Sequence, residues 1–251
     1  MTESTMKPEL RIYPDPESVA TAAAAAVAAI ATTVASGSDR FMMALSGGQT
    51  PRPLYSTLAR DYRESLPWPK IHLFWGDDRF VPPDDPSSNY RLVRETLLDH
   101  VPIQQINVHP MPVFFRDPAA AAAEYEATLK AYYANAAWPR FDLMLLGLGA
   151  DGHTASLFPH SAALSERQRW VVSVRNEQVD PPLRLTVTLP VINHAARLYF
   201  IVTGADKAEV VARVLGEGRD AQAYPAAGVQ PERGEVVWWL DEAAASGLEK
   251  R

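Results

Sequence analysis

One loop carries a histidine and an aspartate with only a glycine between them. Asp151, Gly152 and His153 lie in a glycine-rich segment that follows the apolar run 141–146. A carboxylate beside a histidine can hold the imidazole in one tautomer, and imidazole exchanges protons near neutral pH. The pattern therefore indicates a general base at His153, whereas the alternative is a purely structural loop histidine.

A second candidate site is the turn Ser46-Gly47-Gly48-Gln49-Thr50-Pro51, which follows the apolar run 41–45. Two glycines let backbone N–H groups approach an anion, and a helix beginning near Pro51 would add its positive N-terminal dipole. The turn has neither the GK[ST] ending of a Walker A loop nor the dinucleotide pattern GxGxxG. It predicts a phosphate or carboxylate site, or else a tight strand-to-helix turn without a ligand.

Charged residues follow a third apolar run, Ile71–Trp75. Asp77, Asp78 and Arg79 are consecutive. Carboxylates beside an arginine can form an ion pair, bind a metal or exchange protons. Because no histidine stands at ligand spacing, we expect no metal at this loop.

Several other polar residues are weaker candidates. Lys207 and Arg184 lie next to apolar runs, from which they could reach a phosphate in the same crevice. Ser46 and Ser156 could be nucleophiles, but neither stands in a GxSxG elbow. Four other histidines are interpreted as surface or core residues: His72, His109, His160 and His194.

The apolar runs indicate the scaffold that must position these side chains. Short apolar segments alternate with helical patterns, which predicts an α/β fold with a doubly wound, mainly parallel sheet and helices on both faces. In such sheets ligands bind beyond the carboxyl ends of the strands. No linker or repeat marks a boundary, so we expect a single domain over residues 1–251. The predicted strands are 41–45, 71–75, 141–146, 171–174, 185–188, 198–202 and 236–240.

The predicted helices begin at residues suited to a first turn. Thr50 is interpreted as an N-cap with Pro51 in the first turn, and Asp117 as the cap of an Ala-rich helix reaching about Ala136. Further helices are predicted over 89–98 and 205–215. Residues 18–38 carry no charge, but nine of the twelve residues from Ala20 to Ala31 are alanine. Alanine favours a helix and drives membrane insertion only weakly, so this stretch predicts a core helix.

The composition limits the chemistry further. The chain has 251 residues, no cysteine and a formal net charge of −6. The lack of cysteine excludes disulfides, a thiolate nucleophile and a thiolate zinc site. We expect no nucleic-acid partner, because non-specific binding of nucleic acid depends on clustered cations. No secretory pattern opens the sequence, so we expect a cytoplasmic protein without a membrane partner. An anionic small molecule would need a local positive pocket.

In these motifs the chain resembles a known family, the 6-phosphogluconolactonases, within the superfamily shared with glucosamine-6-phosphate isomerase/deaminase. The most specific segment is GLGADGHTASLFP at Gly147–Pro159. One departure is Asp78, where the family usually has glutamate. Other matching segments are the SGGxTP-type turn at 46–51, the loop 77–82 with Ser88-Asn89, Arg184-Leu185-Thr186, 204–208, 224–227 and 238–241.

The resemblance implies a Rossmann-like sheet and hydrolysis of 6-phospho-D-glucono-1,5-lactone to 6-phospho-D-gluconate, in the oxidative pentose phosphate pathway. It implies no cofactor and no metal. It assigns His153 as the base that activates water, with Asp151 in support. The phosphosugar lactone would be the small-molecule partner of a monomer or weak homodimer. The implied substrate- and phosphate-binding residues are Ser46, Gly47, Gly48, Thr50, Asp77, Arg79, Arg184 and Lys207.

Three alternative functions stay open. A sugar-phosphate isomerase/deaminase would bind phosphate at the same turn and use Asp77 as the base at C2, but the TASLFP continuation argues against it. A non-enzymatic sugar-phosphate sensor would need a DNA-binding module, and the residues before Phe41 contain no such pattern. A nucleotide-dependent oxidoreductase would need the third glycine that Gly147-x-Gly149 lacks.

Overall fold

The computed structural model describes residues 8–216 and 220–248; the first seven residues of the predicted non-secretory N-terminus lie outside that range. Its larger sheet has seven strands, and every pair in it is parallel. Its strands are β1 (Glu9–Tyr13), β2 (Phe41–Leu45), β3 (Ile71–Trp75), β5 (Val108–His109), β6 (Leu143–Leu146), β9 (Arg197–Val202) and β10 (Glu235–Asp241). Their spatial order is β1-β10-β9-β6-β2-β3-β5.

A smaller antiparallel sheet holds the other three strands, β4 (Asp77–Arg79), β7 (Val171–Arg175) and β8 (Leu183–Val187), in the order β4-β8-β7. The runs 171–174 and 185–188 are thus strands, as predicted, but they pair antiparallel and lie outside the parallel sheet. Seven residues separate β7 from β8, and a parallel crossover needs about a dozen or more, so the two strands form a hairpin. Gly76 joins the sheets: its N–H donates to Leu45 O, and its carbonyl accepts from Val187 N.

Six helices lie between strands along the described chain, and a seventh follows β10: α1 (Pro16–Gly37), α2 (Arg52–Asp61), α3 (Asn89–Thr96), α4 (Pro118–Tyr132), α5 (Leu189–His194), α6 (Ala208–Leu215) and α7 (Glu242–Ala245). The Asp117 carboxylate caps α4 by accepting from Ala119 N at 2.9 Å. The prediction that Thr50 caps α2 is wrong, because Pro51 is the N-cap and no side chain hydrogen-bonds there.

Among the described helices, only α1 is long and apolar enough to cross a membrane. Its buried residues Val19, Ala23, Val27 and Ala31 recur every four positions, which is the spacing of one helix face. That face belongs to the hydrophobic core. The alanines let α1 pack closely, as expected of a core helix.

The strand order fixes where a ligand can bind. From β2 the chain proceeds to β3 and β5 on one side of the sheet, whereas β6, β9 and β10 follow one another on the other side. The order thus reverses between β2 and β6, and a crevice forms beyond the carboxyl ends of strands at such a switch point. The strands at the centre, β2 and β6, are buried throughout, so their side chains are apolar on both faces.

Candidate active site

A cavity of about 240 Å³ opens at the carboxyl ends of β2, β3, β6 and β9. It brings together nine of the ten site residues that the family resemblance implies; Asp151 lies behind His153 and does not line the cavity. The nine are Ser46, Gly47, Gly48, Thr50, Asp77, Arg79, His153, Arg184 and Lys207. They come from five separate segments of the chain: four follow strands of the parallel sheet, and Arg184 comes from β8 of the smaller sheet.

The glycine turn after β2 presents its backbone to this cavity. Gly48 has φ +91°, a left-handed conformation that favours glycine. Among the described residues, the N–H groups of positions 47–50 have no hydrogen-bond partner. Gly47 is needed for space, because a Cβ there would lie 1.7 Å from Asn89 Oδ1. Unpaired amides in a tight turn are suited to an anion.

Asp78, in β4, is a structural carboxylate that binds the first backbone amides of α3. It accepts hydrogen bonds from the backbone N–H groups of Arg79 and Asn89, both at 2.7 Å, and of Tyr90 at 3.0 Å. Its side chain is buried and does not line the cavity. Burial raises the pKa of Asp78 to about 7, although the three backbone donors oppose that rise. The aspartate thus fixes the loop that carries Arg79 and Asn89.

This raised pKa predicts a pH-dependent stability. Between the ordinary pKa of 3.8 and about 7, the unfolded chain has released the Asp78 proton while the folded chain retains it. The Asp78 contribution to the free energy of unfolding therefore falls as pH rises through that window. We expect the stability of the native chain relative to Asp78→Asn to be about 2–3 kcal/mol greater at pH 5 than at pH 8. Urea denaturation of both proteins at the two pH values measures this; a pH-independent difference contradicts it.

Asp77, in contrast, lines the cavity and is held by neighbours. Ser156 Oγ donates to Asp77 Oδ2 at 2.6 Å, and Asn89 Nδ2 donates to the Asp77 carbonyl at 2.9 Å. Ser156 is fully buried, and its hydroxyl is committed to this bond. The structure therefore argues against Ser156 as a nucleophile. Asn89 also lines the cavity, although it is not among the predicted site residues. Its close approach to Gly47 is visible only in the structure.

His153 and Asp151 form a close pair at the cavity. Their Nδ1 and Oδ1 atoms lie 2.5 Å apart, and the same oxygen accepts from His153 N at 3.1 Å. Burial raises the pKa of Asp151, but the hydrogen bond and charge of His153 outweigh it, so the pKa lies below its ordinary value. An ionised carboxylate only accepts, so Nδ1 carries the proton. Nε2 has no hydrogen-bond partner among the described residues and can therefore contact a molecule bound in the cavity.

Two glycines shape the loop around this pair. A Cβ at Gly149 would lie 2.0 Å from His153 Nδ1 and 2.6 Å from Asp151 Oδ1. Gly152 has φ +82°, and a Cβ there would lie 2.7 Å from the Tyr224 ring. The positive backbone angle turns the chain so that Asp151 and His153 meet.

Three cations border the cavity. Arg79 and Arg184 are directly opposite each other in β4 and β8, and Lys207 approaches from the turn after β9. Arg184 is buried, with its guanidinium 5.5 Å from the centre of the Phe158 ring. Burial, and then the charge of Arg79, lower the pKa of Arg184. With Asp77 as the acidic neighbour, this chain of net charge −6 has a locally positive pocket.

The described residues contain no group of three or more His, Asp or Glu side chains placed to hold a metal ion. The pair formed by His72 and His109 lies elsewhere, with Nδ1 and Nε2 at 3.2 Å. Burial lowers the pKa of both imidazoles. This agrees with their interpretation as core or surface residues.

Comparison with known proteins places the chain in a family. The family model described as glucosamine-6-phosphate isomerases/6-phosphogluconolactonase matches residues 14–238. The chain belongs to this family. The resemblance to this family that the sequence motifs indicate is therefore confirmed.

Individual members of the family agree with this placement. A 6-phosphogluconolactonase of Synechocystis sp. is 48% identical over 208 residues, which cover 82% of this chain and 84% of that protein. A 6-phosphogluconolactonase of Nostoc sp. is 41% identical over 97% of this chain and 99% of its own length. The solved structure of 6-phosphogluconolactonase from Trypanosoma cruzi covers 100% of both chains with a TM-score of 0.87 and 28% identity. The α/β fold class is likewise confirmed.

Proposed function

We propose that this chain hydrolyses 6-phospho-D-glucono-1,5-lactone to 6-phospho-D-gluconate, with His153 as the general base that activates water. The observation that carries the proposal is the His153–Asp151 pair at 2.5 Å, on the border of a cavity with three cations and an unpaired glycine turn. The curated relatives named 6-phosphogluconolactonase support the same reaction. In this proposal the chain is a cytoplasmic enzyme of the oxidative pentose phosphate pathway. It is a monomer or weak homodimer and needs no cofactor.

The substrate phosphate binds at the turn 46–50. Its oxygens accept from the free backbone N–H groups of residues 47–50, while Arg79, Arg184 and Lys207 supply positive charge. The Asp77 carboxylate accepts from sugar hydroxyls. The phosphate takes no part in the chemistry, so its binding energy serves to place C1 of the lactone beside the water on His153.

The reaction needs only one base. His153 Nε2 takes a proton from water while the water oxygen bonds to C1, and the carbonyl oxygen becomes the oxyanion of a tetrahedral intermediate. As the carbonyl re-forms, the bond between C1 and the ring oxygen breaks, and that oxygen receives the proton from Nε2. The new carboxylic acid then loses a proton to solvent. Asp151 stabilises the transient imidazolium, and N–H groups of the glycine loops are the candidate oxyanion donors.

Removal of one cation should weaken substrate binding more than the chemical step. We expect Arg79→Ala to raise KM by about 10–100-fold, with kcat within about threefold of the native value, because the arginine contacts the unreactive phosphate before and after reaction. Steady-state kinetics with the lactone measure both constants. Arg60→Ala, which removes an exposed arginine paired with Asp61 on α2, is the charge-matched control. A large fall in kcat at unchanged KM would contradict the assignment.

The alternative reaction is the isomerisation and deamination of glucosamine 6-phosphate; the family description also names glucosamine-6-phosphate isomerases. The two reactions are separated by supplying each substrate to the same preparation. Lactone consumption is measured by coupling the product to a dehydrogenase, and ammonia release is measured with glucosamine 6-phosphate. We expect the first activity and not the second. Ammonia release without lactone hydrolysis would favour Asp77 as the base at C2, and binding without either reaction would favour the sensor.

A further inference from the structure

Ser46, the first residue of the glycine turn, has a backbone N–H and C=O that pair with no strand. The last pair between β2 and β3 joins Leu45 and Trp75, and the ladder between β2 and β6 includes only Met43 and Ala44 of β2. Ser46 therefore lies beyond the ladder, where the strands separate to open the crevice. It is nevertheless buried, and a buried N–H or C=O without a partner is costly.

One tyrosine hydroxyl satisfies both groups. Tyr55, in α2, accepts from Ser46 N at 3.1 Å and donates to Ser46 O at 2.7 Å. Its side chain is fully buried. Burial raises the pKa of Tyr55, so the hydroxyl keeps its proton and can donate and accept together. The Ser46 amide is thereby engaged, which leaves the following amides for a ligand.

The end of the neighbouring strand, β3, is also hydrogen-bonded to a tyrosine hydroxyl. Tyr125, in α4, accepts from Trp75 N at 2.8 Å and donates to the carbonyls of Trp75 and His109, both at 3.2 Å. Tyr125 is also buried. Trp75 is the last residue of β3, so each tyrosine replaces strand partners at the mouth of the crevice. Only Tyr55 acts on the turn with free amides.

We propose that Tyr55 is a positioning residue for phosphate binding: its hydroxyl sets the direction in which the chain leaves β2 and so aims the amides of residues 47–50 at the ligand. This role rests on the proposed function for its substrate and on the hydrogen bonds above for its geometry. Without the hydroxyl, Ser46 N–H and C=O must find other partners. The turn then shifts, and the free amides no longer converge.

The test compares Tyr55→Phe with Tyr125→Phe. Both substitutions remove one buried hydroxyl that bonds to a strand-end residue, so their costs in stability are similar, and thermal denaturation verifies this. We expect Tyr55→Phe to weaken the binding of inorganic phosphate about tenfold and to raise KM for the lactone by a similar factor. We expect kcat to change less than about twofold. Tyr125→Phe should leave the dissociation constant of inorganic phosphate within about twofold.

Equal phosphate affinity in Tyr55→Phe and the native protein would overturn the proposal, as would equal weakening by both variants. If Tyr55→Phe does not fold, hydrogen exchange in the native protein provides the second measurement. The Ser46 amide should exchange slowly without ligand, whereas the Gly47 and Gly48 amides should be protected only when phosphate is added. Ser46 exchange as fast as that of Gly48 in the free protein would overturn it.

The two proposals fail in different ways. If the native protein binds inorganic phosphate in a Tyr55-dependent manner but hydrolyses no lactone, the proposed function fails and the role of Tyr55 stands. If the native protein hydrolyses the lactone while Tyr55→Phe binds phosphate normally, only the role of Tyr55 fails.

Discussion

Replacement of His153 by alanine should lower kcat for lactone hydrolysis by about 10²–10⁴-fold, the usual contribution of a positioned general base. KM should change less than about threefold, because the phosphate contacts at the turn and the cations remain. The reason is geometric: Nδ1 is held by Asp151 at 2.5 Å, and Nε2 is the nitrogen left to accept a proton from water. Steady-state kinetics, corrected for spontaneous hydrolysis of the lactone, give both constants.

The matched control is another histidine of the same loop region. His160 is exposed, lies outside the cavity lining and has φ +56°. His160→Asn keeps a residue type that tolerates this backbone angle and should retain the native kcat. Near-native kcat in His153→Ala would remove the histidine from the mechanism. Equal losses in both variants would point to a general disturbance of the loop.

Gly149→Ala should impair the enzyme nearly as severely, although no functional group is removed. The new Cβ would lie 2.0 Å from His153 Nδ1, a separation that packed atoms do not adopt, so the imidazole must move away from Asp151. We expect kcat to fall by about 10²-fold or more, since even a 1 Å displacement of a catalytic group can cost that much. The pH profile of kcat should change as well, because Asp151 no longer stabilises the imidazolium.

Gly147→Ala offers the contrast within the same loop. Its added Cβ would meet no atom within 4 Å, so the His153–Asp151 pair keeps its geometry and the pH profile keeps its shape. The measurement is kcat as a function of pH for the native protein and the two glycine variants. An unchanged kcat in Gly149→Ala would contradict the tight packing of the pair.

Much of the larger sheet was predictable from local pattern. The runs 41–45 and 71–75 are strands β2 and β3 with the predicted bounds, because strands buried on both faces have continuous apolar sequences. Glycines after strands marked the turns that border the cavity. The rule that ligands bind at the carboxyl ends of parallel strands then placed distant residues such as Arg79 and Lys207 in one crevice.

The features of the fold and site that the sequence did not predict depend mainly on contacts between residues far apart in the chain. The hairpin of β7 and β8 has apolar runs like those of the parallel strands, so composition did not separate the two sheets. The edge strand β1 has exposed, mixed residues and lacks the apolar run by which the others were recognised. The bond from Ser156 to Asp77 spans 79 positions, and no spacing rule predicts it. Asp78 stands beside site residues in the sequence, but its carboxylate binds the first backbone amides of α3 instead of lining the cavity.

The central claim is that this cavity accelerates opening of the phosphorylated lactone. Its most direct test follows freshly generated 6-phospho-D-glucono-1,5-lactone by NMR, with native protein, with His153→Ala and with buffer alone. We expect the native protein to convert the lactone to 6-phospho-D-gluconate far faster than buffer, and His153→Ala to fall close to the spontaneous rate. A lactone lifetime with native protein equal to that in buffer would contradict the proposed function.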